Sequence, residues 1–300
     1  MQLGGSIVNL SEGVAEVLTT EICIRANGIE LAAKQWGNAD APAVIALHGW
    51  LDNAASFDRL APALPGYRII ALDSAGHGYS AHRPRGARYH LMDNVDDVIA
   101  LADALDLERF ILLAHSWGAD MATFTAASFP ERSRKLVLVE GIGSSVSPPN
   151  EAPSMLRRAV EDLKKADTKR KPVYATRDEA IRARSQAHGG TSVDAATQLC
   201  SRDLEPVPDG FSWRSDSRLK MSSAIRPTEE MMTAYLQRLS MPVLMIRGRH
   251  SLLAKDPTLQ MRADQIPNCR SILLDGNHHL HLELDTYSAV ADTIAEFLRD

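Results

Sequence analysis

The chain has 300 residues, of which 45% are hydrophobic and 24% are charged, and its formal net charge is -5 at pH 7. This length and apolar content suit one large globular domain, or one domain with an insertion, and they exclude a fibrous or disordered chain. The net negative charge gives no electrostatic reason to bind nucleic acid or an anionic membrane surface, so chemistry on a small molecule is the expected function.

Two features of the sequence predict a cytoplasmic protein. The three cysteines, Cys23, Cys200 and Cys269, are far apart and are not spaced as metal ligands, which is typical of free thiols in a reducing compartment. The first 17 residues lack the basic start and the apolar segment of a signal peptide, and no apolar run elsewhere is long enough to span a membrane. Residues 1–16 contain three glycines and are expected to form a loose leader or a short packing arm.

The first half of the chain predicts a sheet that begins antiparallel and continues parallel. The dipeptide Asn27-Gly28 lies between two runs of alternating polarity, which is the pattern of a tight β-hairpin. Continuous apolar runs then predict strands that are buried on both faces, at residues 43–47, 67–72, 110–114 and 135–139. Helices are expected near Ser56, between residues 95 and 105, and between residues 119 and 128. This alternation favours parallel strands joined by right-handed crossovers.

The alternation stops at residue 144. Residues 144–240 are charged and interrupted by prolines, they contain no convincing strand, and their clearest elements are two amphipathic helices near residues 155–163 and 232–239. The sheet resumes at residues 242–247 and 271–274, and a closing helix is expected at residues 290–298. We therefore predict an α/β core of residues 1–143 and 241–300, with an eight-stranded, mostly parallel sheet, and a helical cap of residues 144–240 inserted after the sixth strand.

One stretch predicts a sharp turn from a strand into a helix with a serine at its apex. Ser116 follows an apolar strand and precedes a helix-forming run, in a pattern close to the nucleophile elbow G-x-S-x-G. Ala114 occupies the first glycine position, Gly118 occupies the second and supplies a fully permissive backbone, and the small residue Ala119 follows it. By itself this pattern also fits a serine that only caps the helix.

The other predicted strands also end in polar residues. In an open parallel sheet, ligands bind at the carboxyl ends of the strands. The strand ends carry these segments: 48–50, Asp73, Ser116, Glu140, 249–251 and 275–278. Nucleophilic acyl transfer needs a nucleophile, a base, an acid that orients the base, and amide donors for the oxyanion, and this set of residues can supply all four.

These motifs resemble those of the α/β-hydrolases over nearly the whole chain. His48-Gly49-Trp50 is similar to the His-Gly-x oxyanion loop, residues 73–80 are similar to the D-x-x-G-x-G-x-S turn, and His278 with Glu283 is similar to the C-terminal histidine segment. Within that superfamily, residues 48–58 and 276–278 resemble the serine hydrolase-like proteins. The resemblance implies the α/β-hydrolase fold and a triad in the chain order Ser116, Glu140, His278.

The acid of this triad departs from the pattern of most relatives. They place it three residues after the glycine that ends the seventh strand, and here Gly248 leads to Ser251, which cannot stabilise an imidazolium as a carboxylate does. Glu140 stands where some α/β-hydrolases have the acid instead, and Asp256 is the second candidate because a longer loop could bring it back to the histidine.

The expected mechanism uses Ser116 as nucleophile, His278 as general base and Glu140 as the residue that fixes its tautomer. The backbone amides of Trp50 and Trp117 are expected to bind the oxyanion. The candidates for the substrate pocket are His48, Phe211, Trp213 and Met232.

His279 and His281 lie close to His278, but alternation along an extended chain points them apart and no acidic or thiolate cluster joins them, so we predict neither a metal nor another cofactor.

The sequence favours hydrolysis of a small carboxylic ester, a thioester or a lactone. Two alternatives stay open: a non-hydrolytic enzyme of the same fold, such as a cofactor-free oxygenase or lyase, and a pseudohydrolase that only binds its ligand. The expected partner is a small acyl substrate, and the chain is expected to be a monomer or a homodimer.

Overall fold

The computed structural model describes residues 19–166, 170–187 and 190–299, so the expected leader at residues 1–16 lies outside the described residues. The strands are β1 (Thr19–Ala26), β2 (Ile29–Trp36), β3 (Ala43–Leu47), β4 (Arg68–Leu72), β5 (Phe110–His115), β6 (Ser133–Val139), β7 (Leu204–Val207), β8 (Gly210–Trp213), β9 (Val243–Gly248) and β10 (Cys269–Leu274). The α-helices are α1 (Asp93–Ala104), α2 (Trp117–Ser128), α3 (Ala152–Ala166), α4 (Arg177–Ser185), α5 (Val193–Asp203), α6 (Glu229–Gln237), α7 (Pro257–Ala263) and α8 (Tyr287–Arg299).

Eight of these strands form one sheet, and this confirms the predicted fold class. Their order is β1-β2-β4-β3-β5-β6-β9-β10. β2 pairs antiparallel with both β1 and β4, and every other pairing in the sheet is parallel. The turn between β1 and β2 uses Asn27 and Gly28, both with positive φ, as a tight hairpin requires.

Apolar side chains cover both faces of the sheet. On one face the core includes residues of α1, α2, α6 and α7, and on the other it includes residues of α8 and of a short 3-10 helix, Ala54–Phe57. The central strands β3, β4 and β5 are buried on both sides, which explains why their sequences are continuously apolar rather than alternating.

The helix expected near Ser56 is only the 3-10 turn Ala54–Phe57. Asn53 caps this turn, because its side-chain oxygen accepts a hydrogen bond from the Ala55 amide. Pro62 and Pro65 follow within the next turns, and neither has the amide proton that a longer helix needs.

The segment between β6 and β9 is called the insertion below. Within the described residues, its α-helices are α3 to α6. It also contains a two-stranded antiparallel hairpin of β7 and β8, so the expectation that residues 144–240 lack strands is wrong. Each of these strands has only four residues, which is too short for alternation to appear, and Pro206 lies within β7. The hairpin is held at its outer edge by a bridge between Tyr174 and Phe211.

Buried ion pairs join the insertion to the sheet. Arg202 of α5 donates to Asp73, at the end of β4, over 2.8 Å, and to Glu21 of β1 over 2.6 Å. Arg184 of α4 pairs with Asp52, which follows β3. Because Asp52 and Asp73 both follow parallel strands, the insertion is attached beside the carboxyl ends of the sheet. Over the described ranges, the helices lack the combined length and apolarity that crossing a bilayer demands.

Candidate active site

Ser116 sits at the apex of the turn between β5 and α2. Its backbone has φ 52° and ψ -117°, a conformation that side-chain-bearing residues rarely adopt and that turns the serine out of the strand direction. A Cβ on Gly118 would lie 2.2 Å from the carbonyl oxygen of Leu47, so the first turn of α2 packs directly against the backbone of β3. This contact explains why position 118 has no side chain.

His278 connects the serine to a carboxylate. Its Nε2 lies 3.0 Å from Ser116 Oγ, and its Nδ1 lies 3.0 Å from Glu140 Oε2. The imidazole lies in the loop that follows β10, whereas the serine follows β5 and the glutamate follows β6. The structure therefore brings the three predicted triad residues together at the carboxyl ends of three strands.

Glu140 is fully buried and is held by the loop that follows β9. Its Oε1 accepts a hydrogen bond from the Gly248 amide over 2.5 Å, and its Oε2 accepts one from the Ser251 hydroxyl. Ser251, at the position where most relatives have the acid, thus binds the carboxylate that lies beside His278. Asp256, the second candidate, instead caps α7 by accepting a hydrogen bond from the Thr258 amide over 2.9 Å.

The two predicted oxyanion donors, the backbone amides of Trp117 and Trp50, come from two different segments of the chain. The Trp117 amide opens α2, where the first amides have no partner inside the helix. The Trp50 amide belongs to the loop after β3, in which Leu51 has φ 60°. The Trp50 indole is half exposed, and its Nε1 donates to the carbonyl oxygen of Leu219 in the insertion over 3.1 Å.

A buried histidine cluster, formed by His115, His279 and His281, lies behind His278. His115 Nε2 is 2.8 Å from the carbonyl oxygen of His278, and the rings of His115 and His281 are 4.1 Å apart. Burial lowers the pKa of all three histidines, that of His279 to about 3. The cluster is therefore neutral at pH 7.

Asp52 is the buried carboxylate that faces this cluster. Its Oδ2 lies 3.6 Å from His115 Nδ1 and 3.8 Å from His279 Nε2, while its Oδ1 binds Arg184. Burial opposes its ionisation, but His115 and Arg184 outweigh this effect and hold the pKa of Asp52 well below its usual value. A Cβ on Gly49 would lie 2.8 Å from His115 Nδ1 and 2.9 Å from Asp52 Oδ2, so a side chain here would displace one of these buried groups.

Sequence reasoning assigned no role to Asp52 or Arg184. Asp52 lies in a polar loop segment, where an aspartate normally stabilises a turn, and its partner is 132 residues away. In the described part of the chain, no three histidine, cysteine or acidic side chains are arranged to hold a metal ion. His281 Nε2 instead binds Ser56 Oγ over 2.9 Å, and His279 Nδ1 faces the carbonyl oxygen of Gly190.

A cavity of about 530 Å³, called the site cavity below, lies between the sheet end and the insertion. Trp117, the residue after Ser116, lines it together with Trp50, Asp120 and Phe124, so the cavity lies next to Ser116, although Ser116 and His278 are not themselves part of its lining. The insertion contributes the opposite wall, which consists of Ser144, Ser145, 219–223, 225–227 and Met231. Slightly more than half of the lining residues are apolar, and the polar ones are four serines, His90, Asp120, Lys220 and Arg226.

None of the four predicted pocket residues lines the site cavity, so this expectation is corrected. Phe211 and Trp213 lie on β8 and pack with Tyr174 in a separate cluster. His48 is fully buried and accepts a hydrogen bond from the Ser74 amide over 3.1 Å, which braces two loops. Met232 is fully buried, and its neighbour on α6, Met231, lines the cavity instead.

Comparisons with known proteins identify the family of this fold. The model of the alpha/beta hydrolase fold family matches residues 42–285. A serine hydrolase-like protein of Dictyostelium discoideum is 32% identical over 287 residues, which are 90% of this chain and 79% of that protein. The chain belongs to the α/β-hydrolase fold family and, within it, to the serine hydrolase-like proteins.

Other known proteins are similar to this chain over nearly its full length. Serine hydrolase-like protein 2 of Homo sapiens is 28% identical, over 97% of both chains. The crystal structure of a hypothetical protein from Pseudomonas aeruginosa PAO1 superimposes with a TM-score of 0.90 at 42% identity, over 93% of this chain and 99% of that one. The thioesterase domain from the curacin biosynthetic pathway superimposes with a TM-score of 0.82 at 23% identity, over 93% and 99% of the two chains, and shares the fold.

Proposed function

We propose that this α/β-hydrolase is a serine hydrolase that cleaves a small carboxylic ester, a thioester or a lactone through an acyl-enzyme. The observation that carries the proposal is the continuous line of hydrogen bonds from Ser116 Oγ through the His278 imidazole to the buried carboxylate of Glu140. A serine hydroxyl is a weak nucleophile, and an adjacent oriented base is the means by which enzymes activate it.

In this mechanism Ser116 Oγ attacks the substrate carbonyl carbon and transfers its proton to His278 Nε2. The amides of Trp50 and Trp117 stabilise the negative charge that develops on the carbonyl oxygen. His278 then protonates the leaving group, and the acyl-enzyme forms. Water activated by the same imidazole releases the acid and restores Ser116. Glu140 keeps the proton of the neutral imidazole on Nδ1, so that Nε2 is free to accept.

The insertion serves as a cap in this proposal. Its residues form one wall of the site cavity, and its attachment through Arg184 and Arg202 keeps it close to the sheet end. A cavity of about 530 Å³ whose lining is part apolar and part polar suits one small acyl group, since typical small-molecule sites range from about 300 to 1,000 Å³. Covering this space also excludes bulk water from the acyl-enzyme.

The experiment combines covalent labelling with turnover. The wild-type chain and the variants Ser116→Ala and Ser128→Ala are treated with a fluorescent fluorophosphonate and assayed with p-nitrophenyl esters of increasing acyl length. Ser128 lies exposed at the other end of α2 and provides a matched serine control. We expect wild type and Ser128→Ala to be labelled and to hydrolyse the esters, and Ser116→Ala to do neither. Labelling without turnover of any ester would instead favour the binding-only alternative, and the absence of labelling would refute Ser116 as nucleophile.

We further propose a cytoplasmic protein, monomeric or homodimeric, whose only required partner is the acyl substrate. The observation in favour of a reducing compartment is that Cys23, Cys200 and Cys269 are all unpaired. Fractionation of cells that produce the protein, together with size-exclusion chromatography coupled to light scattering, tests both statements.

A further inference from the structure

Asp120 presents a carboxyl group to the site cavity, and this group has no partner within the described residues. It lies in the first turn of α2, four residues after Ser116, and it lines the cavity beside Trp117 and Phe124. Arg262 is the cation that acts on it electrostatically. The guanidinium of Arg262 is already engaged, because it binds both oxygens of Glu229 and the carbonyl oxygens of Ile142 and Ser144.

Asp120 is partly buried, and its carboxyl oxygens face the cavity, so a ligand in the cavity can complete their hydrogen bonds in place of water. Burial raises the pKa of Asp120 well above its usual value, and the attraction of Arg262 offsets this only in part. The group is therefore held toward its neutral form, in which one oxygen donates a hydrogen bond and the other accepts. A neutral acid is also compatible with catalysis, since an ionised carboxylate one helical turn from Ser116 would oppose the negative charge of the transition state.

The charges at the cavity mouth restrict the kind of group that Asp120 can bind. Lys220 and Arg226 line the mouth and are exposed, so a cationic substrate would be repelled as it enters. The rest of the lining includes apolar side chains such as Phe124 and Met231, together with four serines. The matching ligand is therefore not cationic, and an oxygen substituent on its acyl chain can form hydrogen bonds with the Asp120 carboxyl.

We propose that Asp120 binds a hydroxyl or keto oxygen on the acyl part of the substrate, so that the enzyme prefers oxygen-substituted acyl esters over plain ones of equal length. This inference rests on the proposed serine hydrolase function and names its substrate class. The preference comes from the hydrogen bonds that the cavity carboxyl makes with the substituent, which a plain acyl chain cannot supply.

A competing explanation is that Asp120 only stabilises the N-terminus of α2 through the helix dipole. Asp96 provides the matched control, because it occupies the first turn of α1 but is exposed to solvent. If the dipole were the only role, replacing either aspartate would reduce helix stability modestly and would leave substrate preference unchanged.

The test compares ethyl hexanoate with ethyl 3-hydroxyhexanoate, ethyl 4-oxohexanoate and ethyl 5-oxohexanoate, with acid release followed in a pH-stat. In wild type we expect at least one substituted ester to exceed ethyl hexanoate in kcat/KM by about tenfold, which is the effect of one good buried hydrogen bond. This ratio should fall to about one in Asp120→Ala, stay partly raised in Asp120→Asn, whose amide still forms hydrogen bonds, and stay at the wild-type value in Asp96→Ala.

Fluorophosphonate labelling separates the possible failures. Wild-type protein that is neither labelled nor active refutes the proposed function itself. Wild-type protein that is labelled and hydrolyses all four esters equally refutes only the role of Asp120, as does an unchanged ratio in a labelled Asp120→Ala variant. If Asp120→Ala is not labelled because it misfolds, the wild-type ratios and the Asp120→Asn variant still decide the question.

Discussion

Replacing Glu140 with glutamine tests the acid of the triad with little change in shape. Glu140 accepts hydrogen bonds from the Gly248 amide, the Ser251 hydroxyl and His278 Nδ1. In Glu140→Gln the side-chain NH2 group faces His278 Nδ1 and forces that nitrogen to accept, so the ring proton moves to Nε2. The ring then cannot accept the proton of Ser116. We expect kcat/KM for a p-nitrophenyl ester to fall by about 10³- to 10⁴-fold, or about 4–5.5 kcal/mol, as for other triads that lose their acid.

The same geometry predicts a rescue. The Ser251 hydroxyl and His278 Nδ1 bind the same oxygen of Glu140, so a carboxylate at position 251 would approach the imidazole. The double variant Glu140→Gln with Ser251→Asp should therefore recover at least about tenfold over the single variant. Ser251→Asp alone should lower activity, because it places two carboxylates side by side.

Three outcomes would refute this reasoning. Unchanged turnover in Glu140→Gln would exclude Glu140 as the acid, and a loss in Asp256→Asn instead would assign that role to Asp256. A double variant no better than the single one would show that position 251 does not reach the imidazole. Circular dichroism and thermal melting of each variant establish that a loss of rate is not a loss of fold.

Three further predictions concern stability. Gly118→Ala should lower the free energy of unfolding by about 3 kcal/mol, measured by urea denaturation, because the new methyl group would meet the Leu47 carbonyl oxygen at 2.2 Å. Arg202→Met should cost about 3–5 kcal/mol in the same assay, since it leaves the buried Asp73 without its cation. The pKa of His279 is about 3 when folded and about 6.5 when unfolded, so the unfolded chain binds more protons between these values and stability falls on acidification below pH 6.5. Removing this group in His279→Asn should therefore reduce the loss of stability between pH 7.0 and 5.5 by about 1.3 kcal/mol.

A specific experimental result would contradict each of these predictions. Arg270→Met breaks an exposed pair with Glu296 and should change stability by less than about 1 kcal/mol, so an equal loss in both arginine variants would contradict the burial argument. A Gly118→Ala protein as stable as wild type would mean that α2 can move away from β3. Identical pH dependence in wild type and His279→Asn would show that His279 is not held neutral by burial.

The sheet and the triad could be predicted because both depend on local signals. Strands buried on two faces are continuously apolar, and the parallel order of β3, β5 and β6 brings their carboxyl ends together. The proximity of polar residues at those ends, such as Ser116 and Glu140, can therefore be inferred from the sequence.

The hairpin of the insertion and the lining of the site cavity could not be predicted in this way. Four-residue strands show too little alternation to be recognised, and a helical pattern reveals which side is apolar but not which side faces a cavity. Met231 rather than Met232 faces the cavity, because the packing of α6 fixes its rotation. The pairing of Asp52 with Arg184 joins residues from the loop after β3 and from α4, and no local pattern encodes it.

The left-handed backbone at Leu51, Ser116 and Glu140 has a consequence for engineering. Five residues other than glycine have positive φ in the described ranges, and three of them belong to the proposed oxyanion loop, the proposed nucleophile and the proposed acid. Glycine adopts such backbone more readily than any of these residues, so substitution there would relieve strain, and at Ser116 and Glu140 it would also remove the proposed reacting groups. Directed evolution for heat tolerance alone would thus select against the chemistry, and a library built on this scaffold should keep these three codons fixed.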